Sequence, residues 1–204
     1  MSVSGLFLVL FLLFHMSMNL AAVFSTEAYN AICEFLGANW YALAGTLILA
    51  AGVVVHLVYA TVLTLHNRSS RGSQRYAMTA EPEGVTWASR NMYVLGIIIV
   101  LGHCCCTLHD NHELGPFPPA DGAAYIAALF SSPVYCIIYL VWFAAIWFHL
   151  THGFWSAFHT IGWDNQTWLP RLKRIANVVA TIVFLCFALV VIVFYLRSLG
   201  VCGG

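Results

Sequence analysis

The sequence predicts an all-α integral membrane bundle of five transmembrane helices, N-terminus inside, forming a single domain over residues 1–204. Three observations carry that prediction. The chain is 61% hydrophobic and only 8% charged, against about 25% charged residues in a soluble domain, so lipid rather than water suits most of its surface. Five segments approach the ~20 apolar residues that a helix needs to cross a bilayer. The basic residues fall almost entirely on one side of those segments.

The spans are read in order as Gly5–Phe24, Trp40–Leu65, Met92–Leu108, Pro133–Thr160 and Ile175–Leu196. They must be helical, because hydrocarbon offers no partner to an unpaired backbone group. The first is taken as a true span rather than a signal peptide, since no basic region precedes it and its apolar run continues past Asn19. Pro133 suits a helix start and Gly162 a helix end. The connections are short and polar, with no repeat and no low-complexity linker.

Orientation follows from the connections. Arg68, Arg71, Arg75 and Arg90 lie between the second and third spans, and Arg171, Lys173 and Arg174 between the fourth and fifth. Only Arg197 of the eight basic residues falls on the other side, where Glu27, Glu34, Asp110, Glu113 and Asp121 collect. The N-terminus is therefore expected inside and the C-terminus outside a cytoplasmic (inner) membrane. The basic face suits a soluble partner, and Arg68, Arg71, Arg75, Arg90, Lys173 and Arg174 are the candidate contacts. A net charge of zero gives no reason to expect a nucleic-acid partner.

Seven cysteines, an odd number, lie mostly in apolar segments with no CxxC pair, so neither a disulfide framework nor a thiolate zinc site is indicated. The nine histidines are the informative residues, since ionisable groups inside a membrane default to functional sites. His15, His56 and His103 fall in the first three spans, and His149 and His152 in the fourth. A b-type haem takes two imidazoles from facing helices at one depth. His56 lies 16 residues past Trp40 and His152 lies 19 past Pro133, or ~24 and ~29 Å from the outer ends at a helical rise of ~1.5 Å per residue. Both are deep on the basic side. His15 and His103 lie ~14 and ~10 Å from the outer ends of their spans. The count therefore predicts an inner pair, His56 with His152, and an outer pair, His15 with His103. His149 is the rival to His152. A lone membrane histidine often does no more than hydrogen-bond to a neighbouring helix, but four on four helices, paired by depth, form a pattern.

Beyond counting, the segments FLLFHMSMNL at Phe11–Leu20, EFLGANWYAL at Glu34–Leu43, ASRNM at Ala88–Met92 and HLTHGFWSAFHTIGWDNQTWLPRL at His149–Leu172 carry a resemblance. Over nearly its whole length the chain resembles the single-chain di-haem cytochrome b subunits of succinate dehydrogenase and fumarate reductase. The resemblance implies two haem b groups. His15 and the third helix would hold the outer one, and His56 and His152 the inner one, with iron ligated axially. In the third helix the family position falls near Cys106, flanked by His103 and His109, so His109 is the alternative there. Leu150 stands where some relatives carry a glutamate, and His66 and His159 stand where glutamine is expected. The resemblance further implies a flavoprotein and an iron–sulfur subunit docked on the inner face. Electrons would pass between them and a membrane quinone, menaquinone by expectation, with no succinate chemistry in this chain itself. Glu34 is the candidate for exchanging protons with the quinone. The competing readings are a cytochrome b subunit of another membrane oxidoreductase and a histidine-rich membrane transporter. The second predicts intramembrane carboxylates or broken helices, and the span interiors contain no Asp or Glu.

Overall fold

The structure is a computed structural model that describes residues 1–37, 39–71, 87–113, 118, 121–163 and 165–201, with the backbone alone at 71 and 105–113. Among these residues the chain is entirely helical. The order is α1 (Ser2–Phe24), α2 (Thr26–Gly37), α3 (Trp40–Arg71), α4 (Trp87–Glu113), α5 (Gly122–Phe130), α6 (Pro133–Thr160) and α7 (Trp168–Ser198). Four of them, α1, α3, α6 and α7, are long and apolar enough to cross a membrane.

The long helices run alternately up and down. Phe143 of α6 stacks on Phe187 of α7, and Trp147 donates to Thr181, so these two helices are antiparallel. Trp142 of α6 donates to the Ile99 carbonyl of α4, while Phe148 meets Trp87, so α4 runs against α6 as well. His15 meets Phe187 and Val23 meets Arg197, so α1 is parallel to α7. Ser4 meets His56 and Phe7 meets Gly52, so α3 is antiparallel to α1. One end of the bundle thus gathers Arg68, Arg90, Arg171, Lys173 and Arg174, and the other gathers Arg197 with α2 and α5. We call them the basic end and the opposite end.

The centre is α7. Ala176, Ala180, Val183, Phe187, Val190 and Phe194 are all buried and recur at alternating steps of four and three, the spacing that keeps one helical face against its neighbours. Its exposed apolar residues, Val178, Ile182, Leu185 and Leu189, form the face suited to lipid. By contrast, none of the described side chains of α3 is buried. That helix touches α1 and, more sparsely, α4, and Leu47, Ile48, Val54, Val58 and Val62 are all more than half exposed.

Two short helices were not foreseen in the connections. α2 is closed at its start by Ser25, whose Oγ accepts from Ala28 N at 3.1 Å. α5 is closed by Asp121, which accepts from Ala124 N. Both use the side-chain oxygen of an N-cap residue to satisfy a free backbone donor. At 12 and 9 residues they are about 18 and 14 Å long, too short to cross. Asn30 ties them together, donating to Asp121 and accepting from Ala123 N at 2.8 Å. The helix carrying the last span also begins earlier than expected, at Trp168. Arg171, Lys173 and Arg174 therefore lie on its first turns, and Pro170 sits where a missing N–H costs nothing. Gly162, with φ +95°, closes α6 in the left-handed region, as its position in the sequence suggested.

Candidate functional site

The histidines fall into two layers. The first lies toward the basic end. On α3, Gly52 lets α1 come close: a Cβ there would stand 2.6 Å from the Phe7 ring. One turn later on the same face is His56. Its Nδ1 is 3.2 Å from Ser4 Oγ, and a Cβ on Gly5 would lie 3.4 Å from its Cε1. Across from it on α6 is His149, with ring centres 6.5 Å apart and planes at 68°. Gly96 of α4 faces His149 at 3.7 Å from a Cβ position, and Gly153 of α6 lies between Met92 and His149 at 3.4 and 3.9 Å. Two imidazoles are thus bordered by glycines from three helices. Nδ1 of His149 and Nδ1 of His152 are both buried without a hydrogen-bond partner. Such a nitrogen costs about 1–3 kcal/mol if left unmet.

His152, one turn closer to the basic end, packs edge-on against Trp155 at 4.8 Å, and Lys173 lies 4.7 Å over that same indole. Of His149 and His152 on α6, the ring brought next to His56 is that of His149. The sequence reading chose His152 and held His149 as its rival.

The second layer lies toward the opposite end. His15 of α1 stacks on Phe11 at 5.5 Å and approaches Phe187 at 6.0 Å. Phe187 stacks on Phe143 at 5.0 Å, Phe143 meets Trp142 at 5.6 Å, and Trp142 stacks on His103 at 6.1 Å with planes 20° apart. A continuous aromatic row therefore joins His15 on α1 to His103 on α4 through α7 and α6. Trp142 lies flat on α4 because residue 102 is glycine; a Cβ there would sit 2.6 Å from the indole. The side chain of His109 lies outside the described residues. His103 lies seven residues after Gly96 on α4, and His149 lies seven after Trp142 on α6. The layers are therefore about 10 Å apart along the bundle.

The remaining candidates are peripheral. Glu34 is exposed on α2. An apolar cavity of about 350 Å³ between α1 and α2 is lined by Phe14, Met18, Ala31, Ile32, Phe35 and Leu36. Glu34 is not part of it, because at about 100° per residue it falls on the other side of α2. Arg68, Arg90 and Arg174 are exposed at the basic end with Lys173. Arg75 and the side chain of Arg71 lie outside the described residues.

The first layer offers two imidazoles, those of His56 and His149, that could ligate one metal ion between them. Two imidazoles sharing one ion, each about 2 Å from it through nitrogen, have ring centres roughly 6 Å apart, close to the 6.5 Å between His56 and His149. A Cβ at Gly5, Gly96 or Gly153 would meet its neighbours at 3.4–3.9 Å, ordinary contact distances, so these positions bring the helices close around both rings. The second layer offers one histidine from each of two helices, with aromatic rings between. The small residues Ala44, Gly45, Ala50, Ala51 and Gly52 in the sequence point to close helix packing, and Gly52 does bring α1 against α3; Gly5 and Gly96 carry no comparable signal. No family model matches the chain, and no curated protein or solved structure matches it.

Proposed function

We propose that this chain is the di-haem cytochrome b membrane subunit of a succinate dehydrogenase or fumarate reductase. In this reading α4 is the fifth crossing. The N-terminus is inside, and the basic end faces the cytoplasmic side of the inner membrane. The observation that carries the proposal is the pairing of His56 with His149 inside a border of three glycines. Glycine in a helix interior costs about 1 kcal/mol relative to alanine, so close helix packing or a bound group has to offset it, and the two histidines beside these glycines favour the bound group.

The inner haem is held by His56 and a histidine of α6. The ring geometry favours His149, and the family resemblance favours His152. The outer haem would be held by His15 and the third-span histidine, His103 or His109; Phe187, Phe143 and Trp142, which lie between His15 and His103, would have to move aside to admit it. When bound, the haems carry single electrons; the protein sets their position and surroundings. Arg68, Arg71, Arg75, Arg90, Lys173 and Arg174 form the docking face for the iron–sulfur and flavoprotein subunits. A membrane quinone, menaquinone by the resemblance, exchanges electrons at this assembly. Glu34, exposed at the opposite end, is the group offered for exchanging the quinone's protons.

The test is the dithionite-reduced minus oxidised optical spectrum of the purified protein, with pyridine haemochrome quantitation per chain. Two b-type haems per chain are expected. One would retain the His56 site and remove the His15 site. None, from folded protein supplied with haem, would overturn the proposal and leave an anchor or a transporter.

A further inference from the structure

The side chain of Asn19 reaches a ring nitrogen of His15. Asn19 follows His15 by one turn of α1, and its Nδ2 donates to the His15 backbone carbonyl at 2.8 Å. A carbonyl oxygen only accepts, so the amide must present its nitrogen at that point. Its other end agrees, because the Tyr29 hydroxyl donates to Asn19 Oδ1 at 3.4 Å. The same Nδ2 lies 3.3 Å from His15 Nε2. An amide nitrogen has no lone pair to offer, so Nε2 must be the acceptor and the neutral ring must carry its proton on Nδ1.

Tyr29 is a dependable donor. It is buried on α2, and burial, then the neighbouring Cys33, pushes its hydroxyl above the usual tyrosine range. It therefore keeps its proton. Cys33 in turn sits beneath Gly122, where a Cβ would lie 2.5 Å from its Sγ and 3.1 Å from the Tyr29 ring. The glycine at the start of α5 is what lets α5 close down over this part of α2.

We infer that Asn19, backed by Tyr29, is a positioning residue that holds His15 as the Nδ1-protonated tautomer and caps its Nε2 lone pair until a metal displaces the amide. In the metal-free chain the Asn19 amide covers that lone pair. An ion that takes Nε2 displaces this one contact and leaves Asn19 its bonds to the His15 carbonyl and to Tyr29. Ligating histidines are commonly oriented through a bond to the other ring nitrogen; here the neighbour meets the ligating nitrogen itself and selects the tautomer before the metal arrives. That the metal is a haem iron rests on the function proposed above; the tautomer does not.

The experiment uses the full chain without haem, in detergent, with its histidine side chains labelled with nitrogen-15. The solution is alkaline enough to keep the rings neutral, and His15 is assigned by its absence in H15Q. Long-range proton–nitrogen correlation reads the tautomer. The wild type is expected as Nδ1–H. Asn19→Leu shifts the tautomer ratio about fivefold toward Nε2–H, the factor one ordinary hydrogen bond is worth. Asn19→Asp, which puts an acceptor in the donor's place, shifts it further. Tyr29→Phe, the milder change, gives a partial shift with the fold least disturbed. A wild-type His15 protonated on Nε2, or a ratio indifferent to all three substitutions, overturns the inference. In the haem-loaded protein, Asn19→Leu is expected to shift the outer haem's reduction potential and low-spin electron paramagnetic resonance signal while leaving the inner one alone. Should the tautomer respond and no haem signal change, the inference stands and the haem reading at His15 falls.

Discussion

The guanidinium of Arg197 donates to the carbonyl of Val23 at 2.9 Å and to that of Ala22 at 3.4 Å, with its face 5.2 Å over Phe194. A residue 174 positions along the chain thus closes the last turn of α1, where backbone carbonyls have no partner of their own and a cation meets the negative end of the helix. The interaction ties the C-terminal end of α7 to the C-terminal end of α1. It explains why a basic residue persists at the end of the bundle otherwise poor in them. Arg197→Met keeps most of the stem and loses both bonds. It is expected to cost about 1–2 kcal/mol, read as a lower thermal midpoint by circular dichroism in detergent. Arg197→Lys should recover part of this, since an ammonium reaches one carbonyl more readily than two.

His149 and His152 make opposite predictions. With His149 facing His56 at 6.5 Å, His149→Ala is expected to remove one haem per chain and its low-spin signal. His152→Ala should keep two haems, with at most a changed spectrum, because its ring packs on Trp155 one turn away. Haem loss in the His152 variant alone would return the ligand to the residue that the family resemblance selects.

The histidine layers were legible in the sequence because depth in a membrane helix is a linear count. His15 and His103 came out at ~14 and ~10 Å from the outer ends by arithmetic, and in the structure Phe187, Phe143 and Trp142 stand in a row between them. Rotation about the helix axis was not legible in the same way. Choosing between His149 and His152 needs the direction each faces, and that depends on how α6 packs on α3 and α4. The span of α6 was read to its bounds because Pro133 marks its start and Gly162 lies just past its end. α2 and α5 escaped because they are short and follow only local signals, Ser25 and Asp121, that also start turns. α3 ran six residues beyond its expected end, since polar residues from His66 onward end a hydrophobic run without ending a helix.

The glycine border of the first layer gives a graded test at one position. A Cβ on Gly96 would lie 3.7 Å from the His149 ring, an ordinary contact, so Gly96→Ala should keep both haems and gain slightly in helix stability. Gly96→Val places branched methyls where the ring or its ligand would be. It is expected to lower haem content toward one per chain with helicity unchanged. Equal haem content in the two variants would mean that the glycine serves helix packing alone.

The last relationship lies in the second layer, where Trp142 covers Gly102. A Cβ there would fall 2.6 Å from Cδ1 and 2.7 Å from Nε1 of the indole. The ring cannot rotate away without breaking its hydrogen bond to the Ile99 carbonyl at 3.0 Å and its stacking on His103. Overpacking of this kind costs about 1–3 kcal/mol. Gly102→Ala is therefore expected to destabilise the protein and to disturb the haem at the opposite end more than the one beside His56. Trp142→Phe removes the clash along with the hydrogen bond, so the two substitutions should not add: Gly102→Ala should cost less when made together with Trp142→Phe than when made alone. A double-mutant cycle on thermal unfolding measures this coupling. Full additivity would mean that α4 and α6 can part locally at this crossing, and that His103 is not held by the indole stacked on it.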